Sequence, residues 1–245
     1  MKRPLITTVV FDLDDTLYDC HRQRVLAAHR HAARALLRAG LNRHAKRTLP
    51  LARLVRLRLR LFREERNLET LDARLVARLG LRGRVAARLA RAGNRAYFSY
   101  PVQRLHLFAD TRPTLRRLHR AGVRIYVLTA GLLRIQRAKV RVLGLDRSPY
   151  ISGIFFTGLL QGRGKTRYLK RVLRREPDPR RVLVVGDRAD SEIRGARELG
   201  MWAVRRQGGE FAHFRPRHRL ERAHFSLRRL AQLFRLPFQF GAGGR

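Results

Sequence analysis

Leu5-Ile-Thr-Thr-Val-Val-Phe11 followed by Asp12-Leu13-Asp14-Asp15-Thr16-Leu17-Tyr18 is the stretch on which the reading of the whole chain turns. Residues 5–11 are β-branched and almost continuously apolar, the pattern of a short strand buried on both faces. Three aspartates then arrive within four positions. Open α/β sheets bind their ligands beyond the C-terminal ends of the strands, which is where Asp12 and Asp14 would leave this one. Two carboxylates two residues apart can divide the labour of a reaction: one attacks or binds metal, the other trades a proton with a leaving group. A plain acidic turn, with Asp15 or Thr16 capping the next helix, would need one such side chain rather than three aspartates.

Outward from this segment, similar apolar runs recur at Val123–Thr129, Ile151–Thr157, Val182–Gly186 and Trp202–Arg205. Helical periodicity fills most of the gaps, over Thr111–Ala121, Leu132–Leu143, Lys165–Arg174 and Asp190–Leu199. Strands alternating with helices predict an α/β fold, a Rossmann-like parallel sheet covered on both faces. Gly122, Gly144 and Gly200 stand where those helices should stop. Residues 20–104 read differently, as long helical patterns punctuated by Gly40, Pro50, Gly80 and Gly93 with no convincing strand. Arg53, Arg56, Arg60 and Arg63 recur at helical spacing beside a stripe of Leu54, Leu57 and Leu61. The expected organisation is an α/β core of residues 1–19 and 105–236, an all-helical insert of 20–104, a last helix over Leu227–Phe234, and a frayed, flexible tail of 237–245.

Hydrophobic residues form 44% of the 245, too many for a disordered chain. No apolar run is long enough to span a bilayer, and no secretory leader pattern opens the chain. Cys20 is the single cysteine, so neither an internal disulfide nor a cysteine zinc cluster can form. A cytoplasmic protein is expected. The charge is unusual: 56 Lys+Arg against 18 Asp+Glu give +38. Such a field attracts phosphates, nucleic acid and anionic surfaces. Only five of the 56 are lysines (2, 46, 139, 165 and 170), so a coding preference for arginine accounts for the excess equally well. The insert carries 22 basic and 4 acidic residues, the remaining 160 positions 34 and 14, so the charge is spread over both parts. Against this background the acids are clustered: Asp12, Asp14, Asp15 and Asp19 in one segment, Asp187, Asp190 and Glu192 in another. Carboxylates gathered at neighbouring strand ends repel one another unless a cation lies between them.

Three further segments can carry chemistry. Tyr126-Val-Leu-Thr129-Ala130-Gly131 ends a strand in a hydroxyl and small residues, so Thr129 and the following backbone N–H groups can hold phosphate oxygens. Gly162-Arg-Gly164-Lys165-Thr166 puts one of the five lysines at a helix start, where a compact ammonium suits a phosphate oxygen or a nucleophile's carboxylate. Val184-Val-Gly186-Asp187-Arg-Ala-Asp190-Ser-Glu192 ends another buried strand in an acidic loop, with Asp190 also able to cap the next helix.

The segment Asp12-Leu-Asp14-Asp15-Thr16-Leu17 resembles the opening motif of the haloacid-dehalogenase-like hydrolase superfamily, most of whose members are phosphatases. Thr129, Lys165 and Asp187 follow in the order of that family's other motifs. Ala130 stands where Asn is common, and Glu192 where a second Asp is usual. The resemblance implies a Mg²⁺-dependent phosphatase with Asp12 as nucleophile and Asp14 as proton donor and acceptor. It implies Thr129 and Lys165 as substrate-binding residues, and Asp12, Asp14 (through its carbonyl) and Asp187 as metal ligands. The helical insert resembles the family's cap domain, which closes over the site. Members that break carbon–halogen bonds lack an acid at the Asp14 position, so a small phosphorylated substrate is expected rather than an organohalide. Another reading is a nucleic-acid- or ribosome-binding protein on a phosphatase-like fold, contacting nucleic acid non-specifically through its basic surface. Against it stand the intact carboxylates and the absence of basic stretches rich in aromatics. Peripheral attachment to anionic membranes through the basic helix near 51–63 is a third.

Overall fold

A computed structural model of the chain describes residues 3–65, 67–158 and 164–242. They form two compact units, residues 1–21 with 102–245 and residues 22–101.

The first unit is built on strands β1 (Leu5–Ile6), β2 (Thr8–Phe11), β3 (Arg124–Thr129), β4 (Gly153–Phe156), β5 (Val182–Gly186), β6 (Trp202–Arg206), β7 (Phe225–Leu227) and β8 (Gln239–Phe240). Six of them make one parallel sheet in the order β4-β3-β2-β5-β6-β7. β2 is therefore central. The chain runs from it outward through β3 and β4, then returns to its other side with β5. That reversal is the switch point at which such sheets open a crevice, and it lies at the end of β2 that leads into Asp12. All four residues of β2 and all five of β5 are buried, as expected of strands covered on both faces. Alternate residues Val10, Tyr126, Leu128, Val182, Val184 and Ala203 share one cluster with Leu169, Val172, Ile193 and Ala196 from the helical segments.

Among the described residues the second unit contains five α-helices, α1 (Leu26–Arg38), α2 (Leu41–His44), α3 (Leu51–Glu65), α4 (Leu71–Arg78) and α5 (Gly83–Ser99). The first unit contributes α6 (Thr111–Arg120), α7 (Leu133–Val142), α8 (Gly164–Leu173) and α9 (Arg194–Glu198). In α3, Leu54, Arg58, Leu61 and Phe62 are buried at helical spacing, while Arg53, Arg56, Arg60 and Arg63 are exposed. The buried Arg58 forms an ion pair with the equally buried Asp72 of α4. Burial pulls the Arg58 pKa down to about 10. Gly93, read from sequence as a break, lies inside unbroken α5. A Cβ there would sit 2.7 Å from the Asp72 carboxylate. Gly→Ala in a helix interior ordinarily stabilises by about 1 kcal/mol. At Gly93 overpacking against a buried charge wins, and Gly93→Ala should cost about 1–3 kcal/mol, seen as a lowered melting temperature.

Three further expectations are corrected. Leu227–Phe234 is not an α-helix: β7 ends at Leu227, and a 3₁₀ segment covers Leu230–Arg235. Asp190–Leu199 starts as a π-helical turn over Ala189–Ile193 before α9, and Asp190 pairs with Arg188 rather than capping. The tail is not frayed up to residue 242. β8 pairs in parallel with β1, and Phe238 is buried with its ring edge-on to Trp202 and Phe225. Aromatic burial outweighs the entropy of ordering so short a segment. Residues 243–245 lie outside the described residues, as do Gly162 and Arg163 of the lysine motif. Among the described residues no helix is long and apolar enough to cross a membrane.

Candidate active site

Asp12 follows the last residue of β2, and its main-chain N–H donates to the carbonyl of Val185 in β5 (2.8 Å). The nucleophile candidate is thereby fixed to both central strands. Asp187 follows the end of β5 in the same way, one strand across. Lys165, the second residue of α8, donates its ammonium to Asp12 Oδ1 and, at 2.8 Å, to Glu192 Oε2. Carboxylate oxygens of Asp12, Asp187 and Glu192 lie within 4.8 Å of one another, and all three residues are buried.

Three carboxyl groups share one ammonium, so they cannot all ionise without a further cation. Burial, opposed by Lys165 and aided by Glu192, pushes the Asp12 carboxyl up to about 7. Burial also pushes Asp187 well above the carboxylate range, with Glu192 and Asp12 adding to the effect. A buried set of hard oxygens with surplus negative charge fits Mg²⁺, which favours carboxylate and carbonyl donors.

Glu192, whose role the sequence leaves open, is 1% exposed. Its Oε1 accepts from the Arg188 main-chain N–H (2.7 Å) while Oε2 meets Lys165. A Cβ on Gly186 would fall 2.3 Å from the Glu192 side chain, so the glycine before Asp187 is what lets this carboxylate in.

Thr129 closes β3, next to β2, and is 1% exposed. Among the described residues its hydroxyl has no hydrogen-bond partner. Leaving a buried hydroxyl unmet costs roughly 1–3 kcal/mol, which suits a group reserved for a ligand oxygen.

Asp14 faces a different set of partners. Its Oδ1 accepts from the Tyr18 hydroxyl (2.8 Å), and its Oδ2 from Lys139 Nζ (2.6 Å) and Gln136 Nε2 (3.1 Å). Burial works to raise the Asp14 pKa, but the charge and hydrogen bonds of Lys139, Tyr18 and Gln136 outweigh it and hold it below the ordinary value. Asp15, at φ 57°, accepts from the N–H groups of His21 and Glu210 and so ties the first motif to the loop after β6. Sequence reasoning missed Lys139, Gln136 and Tyr18. The available signal was Lys139 itself, one of five lysines among 51 arginines.

The model of the haloacid dehalogenase-like hydrolases matches residues 6–200. The chain is 28% identical over 218 residues to a glyceraldehyde 3-phosphate phosphatase of Methanopyrus kandleri, covering 87% of this chain and 89% of that one. It is 27% identical over 211 residues to the protein of the same name from Methanocaldococcus jannaschii, covering 84% and 87%. Among solved structures, a predicted phosphoglycolate phosphatase from Haemophilus somnus shares the fold with a TM-score of 0.68 at 16% identity, over 94% of this chain and 97% of that one. With the parallel sheet, the acidic strand ends and a match over most of its length, the chain belongs to the haloacid dehalogenase-like hydrolase family.

Proposed function

We propose that the protein is a phosphatase that hydrolyses a small phosphate monoester, of the triose phosphate class, through an aspartyl phosphate on Asp12. The observation that carries this is the buried Asp12–Lys165–Glu192–Asp187 arrangement at the switch point of the sheet. The two relatives named as glyceraldehyde 3-phosphate phosphatases support the substrate class.

Asp12 attacks phosphorus as the bond to the leaving alcohol breaks. Asp14 in its protonated form gives that oxygen its proton, and the resulting carboxylate takes one back from the water that attacks phosphorus and frees Asp12. Lys165 orients the Asp12 carboxylate and, with the Thr129 hydroxyl, holds the transferring phosphoryl oxygens. Asp12, Asp187 and the main-chain carbonyl of Asp14 would hold Mg²⁺, with Glu192 anchoring the loop behind them. Bound there, the ion neutralises charge on the phosphoryl group. The helices of residues 22–101 act as the family's cap and select the substrate.

A panel of esters tests the substrate class. Glyceraldehyde 3-phosphate should show kcat/KM at least about 10-fold above phosphoglycolate, glucose phosphates and nucleoside monophosphates, a gap of about 1.4 kcal/mol in transition-state binding. A nucleotide at the head of the ranking would contradict it.

A further inference from the structure

Asp14 meets side-chain donors outside the acidic cluster, two of them neutral and one cationic. Three properties of those donors stand out. They are buried: Tyr18 fully, Gln136 and Lys139 at 4% exposure each, while the Asp14 side chain is 30% exposed. They are asymmetric, since Oδ2 faces two N–H donors and Oδ1 faces one hydroxyl. They are also tied to the candidate phosphate site, because Gln136 Nε2 donates at 2.6 Å to the carbonyl of Ala130, the residue after Thr129. Gly131 admits that approach, as a Cβ there would lie 2.5 Å from the Gln136 amide.

An oxygen facing ammonium and amide N–H groups cannot carry a proton without losing at least one of those bonds. A hydroxyl, by contrast, can turn to accept what it previously received. The geometry therefore separates the two oxygens of Asp14: Oδ2 is the anchor and Oδ1 the oxygen that exchanges a proton. We propose that Lys139, with Gln136, is a positioning residue that anchors Oδ2 of Asp14 so that Oδ1 is presented for proton transfer. This rests on the reading of Asp14 as the proton-transfer residue given above. Lys139 undergoes no chemistry itself. Its Nζ also lies 3.6 Å from the buried Cys20 sulfur, so the head group is confined. Lysine suits the place because its ammonium is a compact point donor, where arginine, the usual cation of this chain, presents a broad planar fork.

Positioning of an acid matters in proportion to how badly the leaving group needs its proton. An alkyl ester such as glycerol 3-phosphate needs it, whereas p-nitrophenyl phosphate releases a stable phenolate and needs it little. Both esters are assayed with the full-length wild-type protein, Lys139→Met, Asp14→Asn and the double variant. Lys139→Met should lower kcat/KM, which reports the step in which the leaving group departs, on the alkyl ester by about 10–100-fold, a part of what general acid–base catalysis contributes. On the aryl ester it should lose only a few-fold, and it should add nothing in the Asp14→Asn background. Gln136→Leu should show the same pattern, weaker, and serves if Lys139→Met does not fold. Equal fractional losses on the two esters, or a further loss on top of Asp14→Asn, would overturn the role. If Asp14→Asn keeps full activity on the alkyl ester, it is the reading of Asp14 that fails. A normal Lys139→Met beside an impaired Asp14→Asn would sink the Lys139 proposal alone.

Discussion

Asp12→Asn should lose turnover by at least about 10³-fold on every ester, because an amide of the same shape cannot form the phosphoryl bond. The fold should survive this change. Burial already pushes the Asp12 carboxyl up to about 7, so near neutral pH a large share of it carries a proton in the absence of a cation. The amide resembles that neutral form, and Lys165 keeps its bond to Glu192. Steady-state kinetics and a melting curve together check the prediction. A variant retaining a tenth of the activity, with the protein folded, would contradict a nucleophilic role.

The second large effect concerns the cation. Activity should vanish with chelator and return with Mg²⁺, and Asp187→Ala should raise the Mg²⁺ midpoint by at least about 10-fold. Glu192→Ala should act differently. It removes the partner of both Lys165 and the Arg188 N–H, so its main effect should be a lowered melting temperature with a smaller change in midpoint. A larger shift of the midpoint in Glu192→Ala would make Glu192 a direct ligand. The pH dependence has a definite sign. Asp12 and Asp187 have raised pKa values in the folded protein, so the folded state binds their protons more tightly than the unfolded chain does. Their contribution to stability without metal is present below the unfolded carboxylate range, near pH 4; the part from Asp12 is lost as pH rises through about 7, and the part from Asp187 as pH rises through its own raised value. Mg²⁺ binds the deprotonated forms, so the stabilisation it gives should grow from pH 5 to pH 8. Thermal melts with and without the ion measure this directly.

The parallel sheet was legible because buried strands leave a strong local mark. Val9–Phe11 and Val182–Gly186 are apolar runs each followed at once by an aspartate. The partners of Asp14 left no such mark. Gln136 and Lys139 lie 122 and 125 residues away from it, on one face of a helix whose pattern reads as ordinary amphipathic packing. Only the choice of lysine over arginine pointed to Lys139. Glu192 was legible as an acid at the right distance, but its seat depends on the close approach to Gly186, a tertiary fact. The C-terminal segment misled for another reason. A two-residue strand has no periodicity to read, and what holds it is a cluster of rings from Trp202, Phe225, Phe234, Phe238 and Phe240. Gly93 misled because a glycine needed for close packing looks the same in sequence as one that ends a helix.

Covalent catalysis at Asp12 is the claim on which the rest depends, and trapping the intermediate tests it most directly. The enzyme is mixed with radiolabelled phosphate ester and Mg²⁺, quenched in acid within the first turnovers, digested and mapped by peptide. Label should appear on the peptide that contains Asp12, reach a fraction of the enzyme set by the relative rates of the two steps, and be absent from Asp12→Asn. Label on a peptide without Asp12, or a burst of leaving alcohol with no labelled peptide at all, would contradict the account.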